Sequence, residues 1–276
     1  MYKTEEYKDL CDIRYIYALS DEERNTIRDI IDNVVNTFES PKETIPFVTK
    51  EISSLNELFK SLELFFNDNP GDYFIRISTC SPKDARYYLT MDRSNNDSND
   101  DVTIEDIIND LQVLKVNDPL QCILVICHSM RIFFEVQSEQ SIILMPWKNN
   151  ILYDTETRCF IKNSKLIGFS QYYCDLSSGY TSIFNDSKTS MTVSQFCNGV
   201  LNFISMLIMN KKIPYSDAVV DIVLSTGPIH EYMFIEINPF NIGTDSCLFD
   251  WKHLSSSNPN LIFVYKVNDG RVVVQL

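Results

Sequence analysis

The stretch AVVDIVLSTGPIHEYMFIEINPF, Ala218 to Phe240, holds two β-rich runs separated by a turn. It predicts paired strands over Ala218 to Leu224 and Glu231 to Ile237. Asp221 interrupts Val219-Val220-Asp221-Ile222-Val223, an otherwise apolar strand. A carboxylate there is costly to bury unless it has a partner. Glu236 and Asn238 stand two residues apart, so both leave the same face of an extended strand. Symmetric pairing across Ser225 to His230 sets Asp221 opposite Phe234 and diagonal to Glu236, within reach of a shared ion. Two carboxylates and an amide oxygen form a hard oxygen site suited to magnesium bridging nucleotide phosphates. The same spacing also fits a plainer reading, in which Glu236 and Asn238 mark the solvated face and end of an edge strand.

Outward from this pair, more β signals follow. Thr157 to Lys162 and Lys165 to Tyr173, split by Asn163-Ser164, read as a hairpin. Leu261 to Val267 and Val272 to Gln275 complete the late β section. Ser190 or Thr192 opens an apolar helix through Phe196, Val200, Phe203, Ile204 and Leu207. Nearer the start, Ser20 with Glu23 forms a capping box ahead of Ile27, Ile30, Ile31, Val34, Val35 and Phe38 at helical spacing. Ser40-Pro41 stops that helix. A second amphipathic helix is expected from about Ser54 to Phe66, and a strand over Tyr73 to Thr79 projects Arg76. Further strands are expected at Arg86 to Thr90, Gln121 to Cys127, Arg131 to Val136 and Ser141 to Met145. Asn95 to Asp101 reads as a polar loop, and Thr103 with Asp106 as a helix start. The mixed order indicates an α+β fold, with a helical segment over 1–66, one lobe over 67–145 and a second lobe, carrying the metal site, over 146–276.

Composition narrows the function. With 276 residues, 44% hydrophobic and 12% aromatic, the chain can bury a substantial core. Net charge is -14, from 38 acidic and 24 basic residues, which disfavours general nucleic-acid binding. No apolar run approaches the roughly 20 residues needed to span a bilayer. Met1 to Asp9 mixes charges without the apolar core of a signal peptide, so a cytoplasmic protein with no membrane partner is expected. The eight cysteines are scattered without zinc-like spacing, and reduced thiols are expected. Three histidines, His128, His230 and His253, are too dispersed for a histidine-ligated metal.

Three basic residues complete the candidate set. Arg158 begins the Thr157 to Lys162 strand, and Lys165 follows across the hairpin turn. Guanidinium fits phosphate in a bidentate fork, and lysine acts as a compact charge. Arg76 sits mid-strand, shortly before Ser81-Pro82-Lys83-Asp84. All three also fit ordinary surface charge.

Taken together, FIRISTCSPKDA (Phe74 to Ala85), TRCFIKNSKLIGFSQ (Thr157 to Gln171) and Asp221 followed by IEINPFNIGTDSCLFDW (Ile235 to Trp251) resemble the cell division cycle protein 123 family in order and spacing. The resemblance runs from about Leu55 to Leu254. It implies an ATP-grasp fold in which two α+β lobes enclose a nucleotide cleft holding ATP and magnesium. By the same resemblance, Arg76 approaches the phosphates, Arg158 binds the triphosphate, Lys165 and Trp147 lie by the nucleotide, and Asp221, Glu236 and Asn238 bind magnesium. No catalytic residue follows from it. The implied role is a chaperone promoting assembly of the gamma subunit of eukaryotic translation initiation factor 2 with its partners. An ATP-grasp ligase working through an acyl-phosphate and a relative that has lost nucleotide are the alternatives. The chain departs from the family pattern in three places. Arg76 stands for a lysine, Glu236 for an aspartate, and Leu144-Met145-Pro146 for Leu-Arg-Lys.

Overall fold

A computed structural model describes residues 11–38, 40–89, 108–109, 111–174, 184, 191–225, 231–256, 261–267 and 270–276. The expected loop at Asn95 to Asp101, the helix start at Thr103 and Asp106, and Ser190 lie outside the described residues. The chain separates into two compact units, dividing between Trp147 and Lys148. The N-terminal helices belong to the first unit.

In the first unit, β1 (Tyr15–Ala18), β2 (Tyr73–Ile77), β3 (Lys115–Val116) and β4 (Ser141–Pro146) form an antiparallel sheet ordered β1-β4-β2-β3. Helix α1 (Asp21–Thr37) begins at the expected capping box of Ser20 and Glu23, and it buries Ile27, Ile30, Ile31 and Val34. Pro41 does end α1, but it also opens another helix, α2 (Pro41–Glu51). Proline at the first helical turn loses only a backbone donor that has no intrahelical partner. Helix α3 (Asn56–Asp68) buries Leu58, Leu62, Phe65 and Phe66.

Three of the expected strands are helices. They are α4 (Ala85–Leu89), α5 (Pro119–Cys127) and α6 (Met130–Glu135). The run Cys122 to Cys127 is β-rich in composition, yet an Asp118 cap bonded to the Gln121 N–H and Pro119 in the first turn start a helix. That helix packs among α1, α2 and α3, so nearly every side is apolar and helical periodicity is hidden. For α6, Ser129 caps the Ile132 N–H, and Asp84 accepts from both the Ser129 hydroxyl and the Arg131 N–H. Asp84 of the Ser-Pro-Lys-Asp segment thus braces a helix start. His128 is fully buried, its Nδ1 lies 2.7 Å from the Leu124 carbonyl oxygen, and burial pushes the ring down to about 4. It is a neutral core histidine.

The second unit is built on six strands: β5 (Ile151–Lys162), β6 (Lys165–Gln171), β7 (Ala218–Ser225), β8 (Tyr232–Pro239), β9 (Ile262–Val267) and β10 (Gly270–Gln275). Their order is β10-β9-β6-β5-β7-β8, antiparallel except for the β6/β9 pair. Helix α7 (Val193–Met209), capped by Thr192, covers one face. Its Phe196 lies 5.5 Å from Phe263, which stacks on Phe169 at 4.9 Å. On the opposite face, Phe160, Val219 and Val264 pack against Phe249 and Leu254, the latter in α8 (Trp251–Leu254).

Gly199 marks the tightest contact of α7 with β8. A Cβ there would stand 2.4 Å from the Tyr232 hydroxyl, which donates to the Phe196 carbonyl at 2.9 Å. Gly199→Ala is therefore expected to destabilise the protein by about 1–3 kcal/mol through overpacking. Urea unfolding checks this, and an unchanged midpoint would contradict the packing described.

Candidate functional site

Strand register, which spacing along the chain cannot reveal, assembles the site. Ser170 on β6 pairs with Arg158 on β5, Arg158 pairs with Asp221 on β7, and Asp221 pairs with Glu236 on β8. Directly opposed residues share a face, so Arg158, Asp221 and Glu236 form a row across three strands. Asn238, two residues beyond Glu236, joins them.

The expected register of β7 and β8 needs correction. Leu224 pairs with Tyr232 rather than with Glu231, and Ile222 with Phe234, so the pairing starts one residue out of the symmetric register. A slip of one residue turns a whole strand over, and on its own it would have put Glu236 on the far face from Asp221. An irregularity between Asp221 and Ile222 leaves Ile235 as an extra residue on β8, and Asp221 then faces Glu236 directly. The bulge restores the shared face and converts a diagonal neighbour into an opposed one.

The Arg158 guanidinium grips Asp221 with two bonds. Nε donates to Oδ1 at 2.8 Å and Nη2 to Oδ2 at 2.7 Å. Nη1 donates to the Asp245 carbonyl at 2.8 Å, and the guanidinium lies 4.7 Å from the centre of the Tyr172 ring. Side-chain exposure is 5% for Arg158 and 0% for Asp221, so this is a buried, charge-assisted bidentate pair. Burial pushes the Asp221 carboxyl up to about 7 against the pull of Arg158, with Glu236 and Glu156 adding repulsion. The Asn238 amide nitrogen donates to Asp221 Oδ2 at 3.1 Å and to Glu236 Oε1 at 3.2 Å. The amide thus sits with a partial positive charge between two carboxylates.

This donor set fits a hard divalent cation shared with a ligand. A carboxylate offers about four lone-pair sites, of which Arg158 occupies two on Asp221. Turning the Asn238 amide over would aim its oxygen at the same point as the two carboxylates. Two carboxylates and one guanidinium leave a single net negative charge, too little to hold a bare dication firmly. Among the described residues, no group of three or more His, Cys, Asp and Glu side chains gathers as a metal cage. Magnesium commonly takes one or two carboxylates and completes its shell with water and phosphate oxygens, and the set matches that demand.

The other expected site residues are placed as follows. Lys165 is exposed at the hairpin end, paired with Lys162. From Ser170 to Lys165 the strand runs roughly 16 Å at about 3.3 Å per residue, so the structure does not bring Lys165 to the Arg158 row. Arg76 is buried on β2, opposite Ile143, and its Nε donates to the Ile77 carbonyl at 3.1 Å. Trp147 follows β4, donates its backbone N–H to the Asp72 carbonyl at 2.9 Å and stacks with Phe74 at 6.5 Å. Sequence reasoning missed Tyr172 and Asp245, which hold Arg158 from two further sides. The Tyr172-Tyr173 pair just past the hairpin was the available signal for the first. For Asp245 there was none, since it acts through its backbone carbonyl.

A model of the D123 family matches residues 15–270. Cdc123 from Schizosaccharomyces pombe is similar in structure, with a TM-score of 0.60 at 16% identity over 95% of this chain and 92% of that one. A C-terminally truncated form of the same yeast protein gives 0.59 at 17% identity, over 95% and 93%. The fold is thus that of the Cdc123 structures, two sheets in a mixed α+β arrangement. The chain belongs to the D123 family, that of cell division cycle protein 123.

Proposed function

We propose that this protein binds ATP with magnesium in an ATP-grasp-like manner and serves as an assembly factor for the gamma subunit of translation initiation factor 2. The observation that carries the nucleotide reading is the convergence of Asp221, Glu236 and Asn238, joined by the Asn238 amide at 3.1 and 3.2 Å. Asp221, Glu236 and Asn238 would hold the ion, and magnesium when bound neutralises phosphate charge and fixes the triphosphate. Arg158 acts one step back. Its fork engages Asp221, so it orients that carboxylate and cancels part of the charge, where the resemblance alone had aimed it at phosphate.

The charge balance has a direct consequence. Because the three side chains offer one net negative charge with Arg158 included, magnesium without nucleotide is expected to bind weakly and ATP without magnesium weakly too, with tight binding only for the pair. Membership of the D123 family supports the assembly role. The partner is tested by retention of the folded, ATP-loaded protein on immobilised gamma subunit. Retention that falls when magnesium is chelated is expected, and no retention would overturn the assignment. Among the described residues, no helix is long and apolar enough to cross a membrane.

A further inference from the structure

Two reduced cysteines, Cys174 and Cys247, lie beside the Arg158 row. Cys174 lies just past β6, and Cys247 lies in the segment between β8 and α8. Both thiols turn toward one acceptor, the Tyr172 carbonyl oxygen, at 3.4 Å from Cys174 Sγ and 3.6 Å from Cys247 Sγ, which sets the two sulfurs side by side. Each is partly exposed, whereas Cys80, Cys122, Cys127, Cys159 and Cys197 are buried. Cys247 is held at φ 51, a left-handed conformation uncommon for a residue with a Cβ, and its N–H is fixed by Asp245 Oδ1 at 2.8 Å. The loop therefore holds a strained backbone angle at the position where the Cys247 sulfur meets Cys174.

We propose that Cys174 and Cys247 form a reversible thiol–disulfide pair, a modification site that oxidation by a peroxide closes and a dithiol reopens. The chemistry balances with hydrogen peroxide as oxidant. One thiol, as its thiolate, attacks a peroxide oxygen, the O–O bond breaks, and a sulfenic acid and one water form. The second sulfur attacks the sulfenyl sulfur, the S–O bond breaks, and a second water leaves as the S–S bond forms. Two thiols lose two electrons and two protons, and one peroxide becomes two waters. Proximity, rather than thiolate character, poises this pair, because the neighbouring Cys174 thiol and then burial hold the Cys247 thiol above its ordinary range. Oxidation is therefore slow at neutral pH and quickens as pH rises.

The bridge would tie the end of β6 to the segment carrying Asp245, whose carbonyl accepts from Arg158. The pairing stands or falls without reference to nucleotide. The test treats the folded protein with hydrogen peroxide, alkylates the remaining thiols and maps peptides by mass spectrometry. A Cys174–Cys247 bridge that dithiothreitol removes, forms faster at pH 8.5 than at pH 7, and is absent from Cys174→Ser and Cys247→Ser is expected. Both variants should keep the wild-type circular dichroism, since serine replaces sulfur by oxygen in partly exposed positions. Full alkylation of both cysteines after peroxide, or irreversible oxidation of either without a bridge, would overturn the proposal.

Discussion

Asp221→Ala is expected to lower the stability of the folded protein by about 3–5 kcal/mol, a large part of the roughly 5–15 kcal/mol available to a typical domain. The two members of the buried pair are not equivalent. Removing Asp221 leaves the Arg158 guanidinium 5% exposed with its main counter-charge gone, and arginine has no means of shedding its proton. Removing Arg158 leaves a carboxyl already pushed up to about 7 by burial, which becomes neutral by taking one proton. Arg158→Ala should accordingly cost less than Asp221→Ala. The double variant Arg158→Met with Asp221→Leu should return close to wild-type stability, because hydrophobic residues of similar volume replace buried ion pairs at little cost. Denaturant unfolding of the three variants measures all of this. A loss below about 1 kcal/mol for Asp221→Ala, or a larger loss for Arg158→Ala, would contradict the account.

Glu236→Ala should separate binding from folding. Glu236 is partly exposed on the edge strand β8, so removing its carboxylate deletes a ligand without stranding a buried charge. Magnesium-dependent ATP affinity is expected to fall by at least about 10–100-fold, the scale on which loss of even an outer-shell partner of a metal ligand lowers affinity, while the unfolding midpoint stays near that of the wild type. Calorimetric titration in magnesium and in a chelator reads the loss. Equal affinity in wild type and variant would remove Glu236 from the metal set. Asp221→Ala cannot serve as the primary test, since its expected instability confounds any loss of binding.

Much of the fold was legible because local signals agreed with tertiary demands. The capping box of Ser20 and Glu23, the Thr192 cap and the β-rich runs of β5 to β8 each have a local physical cause. The apolar run Cys122 to Cys127 was not legible, because a helix buried on nearly all sides and a core strand have the same composition. Glu236 and Asn238 were legible as face-sharing neighbours, and Asp221 as a carboxylate that needs a partner. Its partner was not, since Arg158 is 63 residues away and only the β5/β7 register brings the two together. On spacing alone, Arg158 and Lys165 each fit either a phosphate contact or surface charge on the hairpin. The hairpin carries Lys165 along the strand to its exposed end. Bulges such as the one at Ile235 leave no mark in hydrophobic periodicity, although here one decides which face Glu236 occupies.

Three side chains on β7 and β8 are proposed to share one cation with a nucleotide. A crystal structure grown with magnesium and a non-hydrolysable ATP analogue tests this most directly. An ion is expected at about 2.0–2.1 Å from oxygens of Asp221, Glu236 and Asn238 and of the phosphates. The Asn238 amide should be turned so that its oxygen, rather than its nitrogen, faces the two carboxylates. Phosphates bound elsewhere, with the Asn238 nitrogen still donating to Asp221 and Glu236, would contradict it.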